Sequence, residues 1–162
     1  MMKIPASAGK RVAAIAAIAG AMAVPFEGLR QYAYYDPPGI LTVCYGHTGD
    51  IVKGRKYSIN ECNALLSSDM LDAVFTVERC APGLPYDTAA ALSDAVFNLG
   101  PKVVCNTSAS TLARKLKAGD ILGACEQLPR WNKARVAGVT VALPGLTKRR
   151  LAERDLCVKG LT

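Results

Sequence analysis

The stretch Phe26-Glu-Gly-Leu-Arg-Gln-Tyr-Ala-Tyr-Tyr-Asp-Pro-Pro-Gly-Ile-Leu-Thr-Val-Cys-Tyr-Gly-His-Thr-Gly49 decides how this chain is read. Glu27 is followed by Asp36 after eight intervening residues and by Thr42 after five more. The stretch then closes on Tyr45-Gly46-His47. A carboxylic acid, a second carboxylate and a hydroxyl, spread across a Pro/Gly-rich turn segment, are the groups needed to cleave a glycosidic bond. Glu27 stands beside Phe26 at the end of an apolar run, a setting that suits it to donate a proton. Asp36 lies in a polar turn before Pro37 and suits the carboxylate role, as base, nucleophile or stabiliser of an oxocarbenium-like transition state. Thr42 offers a hydroxyl to orient a water. Each also has an ordinary use: a helix-end charge, a turn former before proline, a strand residue.

Outward from that stretch the chain is punctuated. Pro37, Pro38, Gly39, Gly46, Gly49 and Gly54 break up residues 33–57, with β-prone pieces at Ile40–Tyr45 and Ile51-Val52, which predicts a small β-hairpin lobe. Ser58-Ile-Asn-Glu61 is a capping box that opens a helix to about Arg79. Further helices are expected over Asp87–Leu99, Thr111–Ala118, Ile121–Leu128 (capped by Asp120) and from Pro144-Gly145 to about Val158. Glu27–Tyr32 are expected to continue or close the first helix, bent at Pro25. The fold class is therefore α+β, a mostly helical body with a small sheet and a cleft between the two lobes for a chain-like ligand.

The 162 residues suffice for one domain with a real core. With 51% hydrophobic and 20% charged residues the chain is an ordinary globular one. The net charge of +7 favours polyanionic partners. Aromatic residues at 6% leave few stacking platforms for single-stranded nucleic acid, and no nucleic-acid module is recognisable, so no nucleic-acid partner is expected. The one dense basic cluster, Lys148-Arg149-Arg150 followed by Glu153-Arg154-Asp155, reads as a charged helix face. Six cysteines, Cys44, Cys62, Cys80, Cys105, Cys125 and Cys157, point to disulfides in an oxidising compartment. With no CxxC and a single histidine, His47, no metal site and no cofactor are expected. His47 reads as a hydrogen-bonded scaffold residue and Cys44 as a disulfide partner.

Lys3, Lys10 and Arg11 precede an uncharged run, Val12–Val24, seven of whose thirteen residues are Ala. As a helix it would span about 20 Å, short of a hydrocarbon core of about 30 Å. Three readings stand open: a cleaved signal peptide with Ala21-Met22-Ala23 at its site, a buried Ala-rich helix, and a segment that first anchors in the membrane and later leaves it. Cleavage after Ala23 would leave Glu27 on a frayed terminus, which argues against the first.

Glu27-Gly28-Leu29, Tyr34, Asp36, Gly39, Thr42 and Tyr45-Gly46-His47-Thr48-Gly49 resemble the catalytic segment of the phage-type lysozymes, the T-even lysozyme family (glycoside hydrolase family 24). The likeness continues in order through Phe97-Asn98-Leu99-Gly100, Ser110-Thr111-Leu112, Ala118-Gly119-Asp120, Leu128-Pro129-Arg130-Trp131, Gly145-Leu146, Arg149-Arg150, Glu153-Arg154 and Cys157. It covers residues 26 to about 158 and is nearest to the lambdoid signal-anchor-release endolysins. It implies a lysozyme-like fold and a muramidase that cuts the β-1,4 bond between N-acetylmuramic acid and N-acetylglucosamine. Glu27 would be its proton donor, Asp36 the second carboxylate and Thr42 the water-positioning partner. His47 and Phe97 would be substrate-binding, and the segment after Gly54 the central helix.

The resemblance also implies a division into residues 1–25, an uncleaved signal-anchor-release segment able to repack as the first helix, and a catalytic domain over 26–162. The enzyme would be exported, held at the periplasmic face of the host inner membrane through residues 12–24, and then released into the periplasm. It would act on peptidoglycan as a monomer and cause host lysis. Cys44 departs from the Gly that many members carry, and reads as a trait of this subgroup. A Cys125–Cys157 bridge is implied, with Cys80–Cys105 and Cys44–Cys62 as working pairings beside it. No cysteine precedes Cys44, so a thiol switch inside the N-terminal segment is not expected. The competing functions are a non-catalytic wall-binding protein and a lytic transglycosylase that uses a single Glu.

Overall fold

The structure is a computed structural model and describes residues 6–162; Lys3, part of the expected basic n-region, lies outside the described residues. Helix α1 (Ala6–Ala23) leads into a three-stranded antiparallel sheet ordered β1 (Arg30–Tyr35), β2 (Leu41–Cys44), β3 (His47–Thr48). Helix α2 (Ile59–Cys80) crosses from this small lobe into a helical body made of α3 (Tyr86–Leu99), α4 (Lys102–Cys105), α5 (Thr111–Lys117) and α6 (Ile121–Cys125). A 3-10 turn at Leu128–Trp131 and a second hairpin, β4 (Lys133–Val136) and β5 (Val139–Ala142), precede the last helix, α7 (Pro144–Lys159). This is the α+β, mostly helical architecture expected from the sequence.

Helix α1 is amphipathic only in a weak sense, because its buried positions are small. Val12, Ile15, Ala19 and Ala23 recur at helical spacing and lie in the main core with residues of α2 and α3. Arg11 ties the start of the helix down: its Nη2 donates to Glu78 Oε1 at 2.9 Å and to the Leu84 carbonyl at 2.6 Å. The helix does not continue through Glu27–Tyr32 as expected. It ends at Ala23, whose carbonyl accepts from the amides of Phe26 (2.9 Å) and Glu27 (3.0 Å), and the chain is extended from Arg30. Pro25 has no amide to donate, so the helical hydrogen-bond ladder is interrupted there, and Gly28 follows.

Helix α2 joins two cores. Cys62 and Leu66 belong to the small cluster beneath the sheet, with Val43, Cys44, Tyr45 and Tyr57; Met70, Ala73, Val74 and Val77 belong to the main core. Its start is the capping box read from the sequence: Glu61 N donates to Ser58 Oγ at 3.0 Å and Ser58 N to the Glu61 carboxylate at 2.7 Å. Helix α3 is the innermost element, buried without interruption from Thr88 to Val96. All three expected disulfides are present: Cys44–Cys62 pins β2 to α2, Cys80–Cys105 pins α2 to α4, and Cys125–Cys157 pins α6 to α7.

Several other expectations change. Ile51-Val52 is not a strand, and His47–Thr48 takes that place in the sheet. The helix expected over Ile121–Leu128 stops at Cys125, and Pro129 sits in the 3-10 turn. Helix α4 and the β4–β5 hairpin were not foreseen. The largest correction concerns α7. Arg149, Arg150 and Glu153 are not a solvated face; they are 3%, 0% and 0% exposed and point inward.

Candidate active site

A cleft of about 560 Å³ opens between the sheet lobe and the helical body. Glu27, Asp36, Thr42 and Phe97, far apart in the chain, all line it, together with Tyr34, Tyr45, Asp69, Asp72 and Asn98 among others. Each arrives from a different element: Glu27 from the turn after α1, Asp36 from the β1–β2 turn, Thr42 from β2, Phe97 and Asn98 from the end of α3.

Asp36 is held by its own turn. Its Oδ1 accepts from Ile40 N at 2.7 Å, its amide donates to the Ile40 carbonyl at 3.0 Å, and its carbonyl accepts from Gly39 N at 2.8 Å. Gly39 sits at φ +86°, a conformation that favours glycine. Thr42 is buried, and its hydroxyl donates to the Ile40 carbonyl at 3.0 Å. Phe97 lines the cleft where the two cores meet, because it packs against both. His47 is not among the cleft-lining residues. Its Nδ1 lies 2.8 Å from Asp69 Oδ2 and its Nε2 lies 3.1 Å from the Gly49 carbonyl, so the imidazole ties β3 to α2.

Glu27 is not enclosed in apolar surroundings as the sequence suggested. Its Oε1 accepts from Arg149 Nη1 at 2.5 Å. The same guanidinium donates from Nε and Nη2 to the two oxygens of Asp94, at 3.0 and 2.7 Å. Arg149 is thus a fork with one side on a buried carboxylate of α3 and the third nitrogen on Glu27. Burial works against its charge, but Asp94 and Glu27 outweigh burial and hold its pKa above the ordinary arginine value.

Behind this fork lies a second arginine. Arg150 Nη2 donates to Glu153 Oε1 at 2.6 Å and to Asn98 Oδ1 at 3.0 Å, and Arg149 Nε is 3.7 Å from Glu153. Two guanidinium groups therefore serve three carboxyl groups: Glu27, Asp94 and Glu153. Burial pushes Glu153 up to about 10, Asp94 acts in the same direction, and Arg150 and Arg149 oppose it without prevailing. A proton on Glu153 spares the cluster one buried negative charge. The sequence offered one signal for this arrangement, the order of Arg149, Arg150 and Glu153 in the likeness to lysozymes, and none for their burial.

Residues 24–153 match the family model described as phage lysozyme. The chain belongs to the phage lysozyme family. Among relatives of this chain, the SAR-endolysin of Bacteriophage PS119 is 43% identical over 136 residues, spanning 83% of this chain and 77% of that protein. The SAR-endolysin of Enterobacteria phage P21 is 38% identical over 136 residues, 83% of this chain and 78% of that one. Among solved structures, the active form of the P1 phage endolysin Lyz superposes with a TM-score of 0.76 at 25% identity, covering 89% of this chain and 85% of that one. The muramidase domain of SpmX from Asticaccaulis excentricus gives 0.73 at 28% identity, over 98% and 99%.

Two measurements check the charge arrangement. Replacing Arg149 by Met leaves Asp94 buried and unpaired, so it should cost about 3–5 kcal/mol in urea denaturation, and combining it with Asp94→Leu should recover most of that loss. Burial pushes the Glu153 carboxyl up to about 10, far above the ordinary glutamate value of about 4.3. A raised carboxyl pKa contributes stability that is fully present below the unfolded value and is lost as pH rises through the folded one. Glu153→Gln keeps a neutral side chain of the same shape. Its stability relative to wild type should therefore improve steadily between pH 5 and pH 10, read from thermal midpoints across that range.

Proposed function

We propose that this chain is a muramidase: a peptidoglycan hydrolase that cuts the β-1,4 bond between N-acetylmuramic acid and N-acetylglucosamine, as an endolysin that lyses the host. The observation that carries the reading is the meeting of Glu27, Asp36 and Thr42 in one cleft of about 560 Å³. Relatives named SAR-endolysins and a neighbour described as a muramidase domain support it.

The assigned roles follow from donor and acceptor chemistry. A guanidinium has donors only, so Glu27 Oε1, bound to Arg149, must accept. The acid proton then resides on Oε2. A Cβ built on Gly46 would stand 3.5 Å from that oxygen, and Gly46 lines the cleft, so the side of the carboxyl toward Gly46 is the one that faces a substrate. Glu27 protonates the leaving glycosidic oxygen. Asp36, whose Oδ1 already accepts from Ile40 N, presents its other oxygen as the carboxylate that stabilises the developing positive charge or directs a water. Thr42, fixed on the Ile40 carbonyl, is the water-positioning hydroxyl. Phe97 is a cleft-wall contact for the sugar, and His47 a strut.

The division at residue 25 belongs to the same proposal. Residues 1–25 act as a signal-anchor-release segment, holding the enzyme at the inner membrane on the periplasmic side before release. No described helix is long and apolar enough to cross a membrane. The weak, Ala-rich character of α1 fits a segment that enters lipid and leaves it. Once out, Val12, Ile15, Ala19 and Ala23 fill the space against α2 and α3, and the Ala23 carbonyl sets the turn that carries Glu27. Packing of α1 and assembly of the acid are then one event. The pairing of all six cysteines accords with an oxidising compartment.

Purified full-length protein and its Glu27→Gln variant, acting on purified peptidoglycan with mass spectrometry of the soluble fragments, test the chemistry. Wild type should release reducing-end muropeptides and the variant about 10²–10⁴-fold less. Anhydro products would indicate a transglycosylase, and binding without release a wall-binding protein. A chain lacking residues 2–24 should be inactive on the same substrate; full activity would sever the link between α1 and the site.

A further inference from the structure

The β4–β5 hairpin is the one described element that packs on almost nothing but itself. Ala137 and Gly138, at φ +49° and +80°, form its two-residue turn, and the register pairs Val136 with Val139, Arg135 with Thr140, Ala134 with Val141 and Lys133 with Ala142. Directly opposed residues share a face, and successive residues alternate faces. One face of the ribbon is therefore Val136, Val139, Val141 and Ala134; the other carries Lys133, Arg135 and Thr140. The apolar face is uncovered: Val136, Val139 and Val141 are 49%, 61% and 37% exposed. A sheet face of three valines normally seeks a partner.

The charge around the hairpin says what that partner is. From Gln127 to Ala152 the chain contains no Asp or Glu. Arg149 and Arg150 are consumed inside the body, but Arg130, Lys133, Arg135 and Lys148 are exposed. Trp131, the only tryptophan, is half-buried immediately before β4, with Lys102 Nζ 5.7 Å from its ring centroid. An apolar face, cations on the opposite face of a ribbon thin enough for an underlying surface to be felt within a Debye length, and a tryptophan at its base suit an element that lies on an anionic bilayer.

We propose that the β4–β5 hairpin docks the protein, through its valine face and its surrounding cations, on an anionic lipid surface. This contact is separate from α1 and from the cleft, and it would keep the body at the bilayer after α1 has folded onto α2 and α3. The cleft residues belong to other elements, so docking and hydrolysis are separable.

Trp131 reports the contact directly. Full-length protein is titrated with vesicles of equimolar phosphatidylglycerol and phosphatidylcholine, and with phosphatidylcholine alone, and its emission is followed, with quenching by brominated lipid. Wild type should shift to the blue and be quenched on the anionic vesicles, weakly or not at all on the zwitterionic ones, and less at high salt. The V136S/V139S/V141S variant and the K133E/R135E variant should each bind about ten-fold more weakly or worse. Both should keep the wild-type rate on purified peptidoglycan, which shows that they are folded and that a failure here is not a failure of the hydrolase reading. No shift for wild type, or an equal shift for the variants, overturns the proposal. So does a loss of binding to purified sacculi with unchanged vesicle binding, which would give the face to the cell wall.

Discussion

Arg149 is the constraint on which the rest of this structure depends. It is a buried cation that cannot lose its proton, so the fold must supply carboxylates around it. Asp94, on the innermost helix, takes two of its nitrogens, and Glu27 takes the third. That one side chain joins α7 to α3 and both to the turn after α1. The candidate acid is therefore held at 2.5 Å by a group whose own position is set by the core. Rigid support of this kind is what a proton donor in a cleft requires.

The arrangement places a polar cluster at the lobe junction, where an apolar core would be simpler. Five charged or titratable groups share the region, and three of them are fully buried. Burial favours the neutral form of Glu153 over its carboxylate, which eases the demand on the two guanidinium groups. An ionised Glu153 would compete for Arg149 with Asp94 and Glu27 and loosen the fork. Glu153 does not line the cleft and reaches the acid only through Arg149.

Around this junction the small lobe is fastened at several points that do not overlap. The Cys44–Cys62 bridge and the His47–Asp69 pair both connect the sheet to α2, one beneath it and one at its edge. Cys44 itself lies at φ +60°, unusual for a residue with a side chain, and the bridge holds it there. Helix α1 supplies the remaining support through small residues that let it sit close to α2 and α3. The same smallness that makes it a weak membrane segment makes it a good core helix.

Much of this was legible in the chain. The capping box at Ser58, the glycines and prolines of residues 33–57, and the helical spacing of α2 and α3 are local signals, and local signals survive in a one-dimensional reading. So did the spacing of Glu27, Asp36 and Thr42, because a turn and a hairpin bring nearby residues together whatever the rest does. The β4–β5 hairpin had a signal as well, Val-Ala-Gly-Val with alternation on either side, that the helical surroundings masked. What the sequence could not show is which charges are solvated. Lys148, Arg149, Arg150 and Glu153 look alike along a helix, and only the docking of α7 on α3 turns two arginines and Glu153 inward while leaving Lys148 in water. Burial depends on what lies opposite, and Asp94 and Glu27 lie 55 and 122 residues away from Arg149. The sequence by itself determined that Glu27, Asp36 and Thr42 share a turn and hairpin; the tertiary structure alone decided that His47 stays out of the cleft and how the charges around Glu27 are held, because long-range partners are chosen by packing and not by spacing.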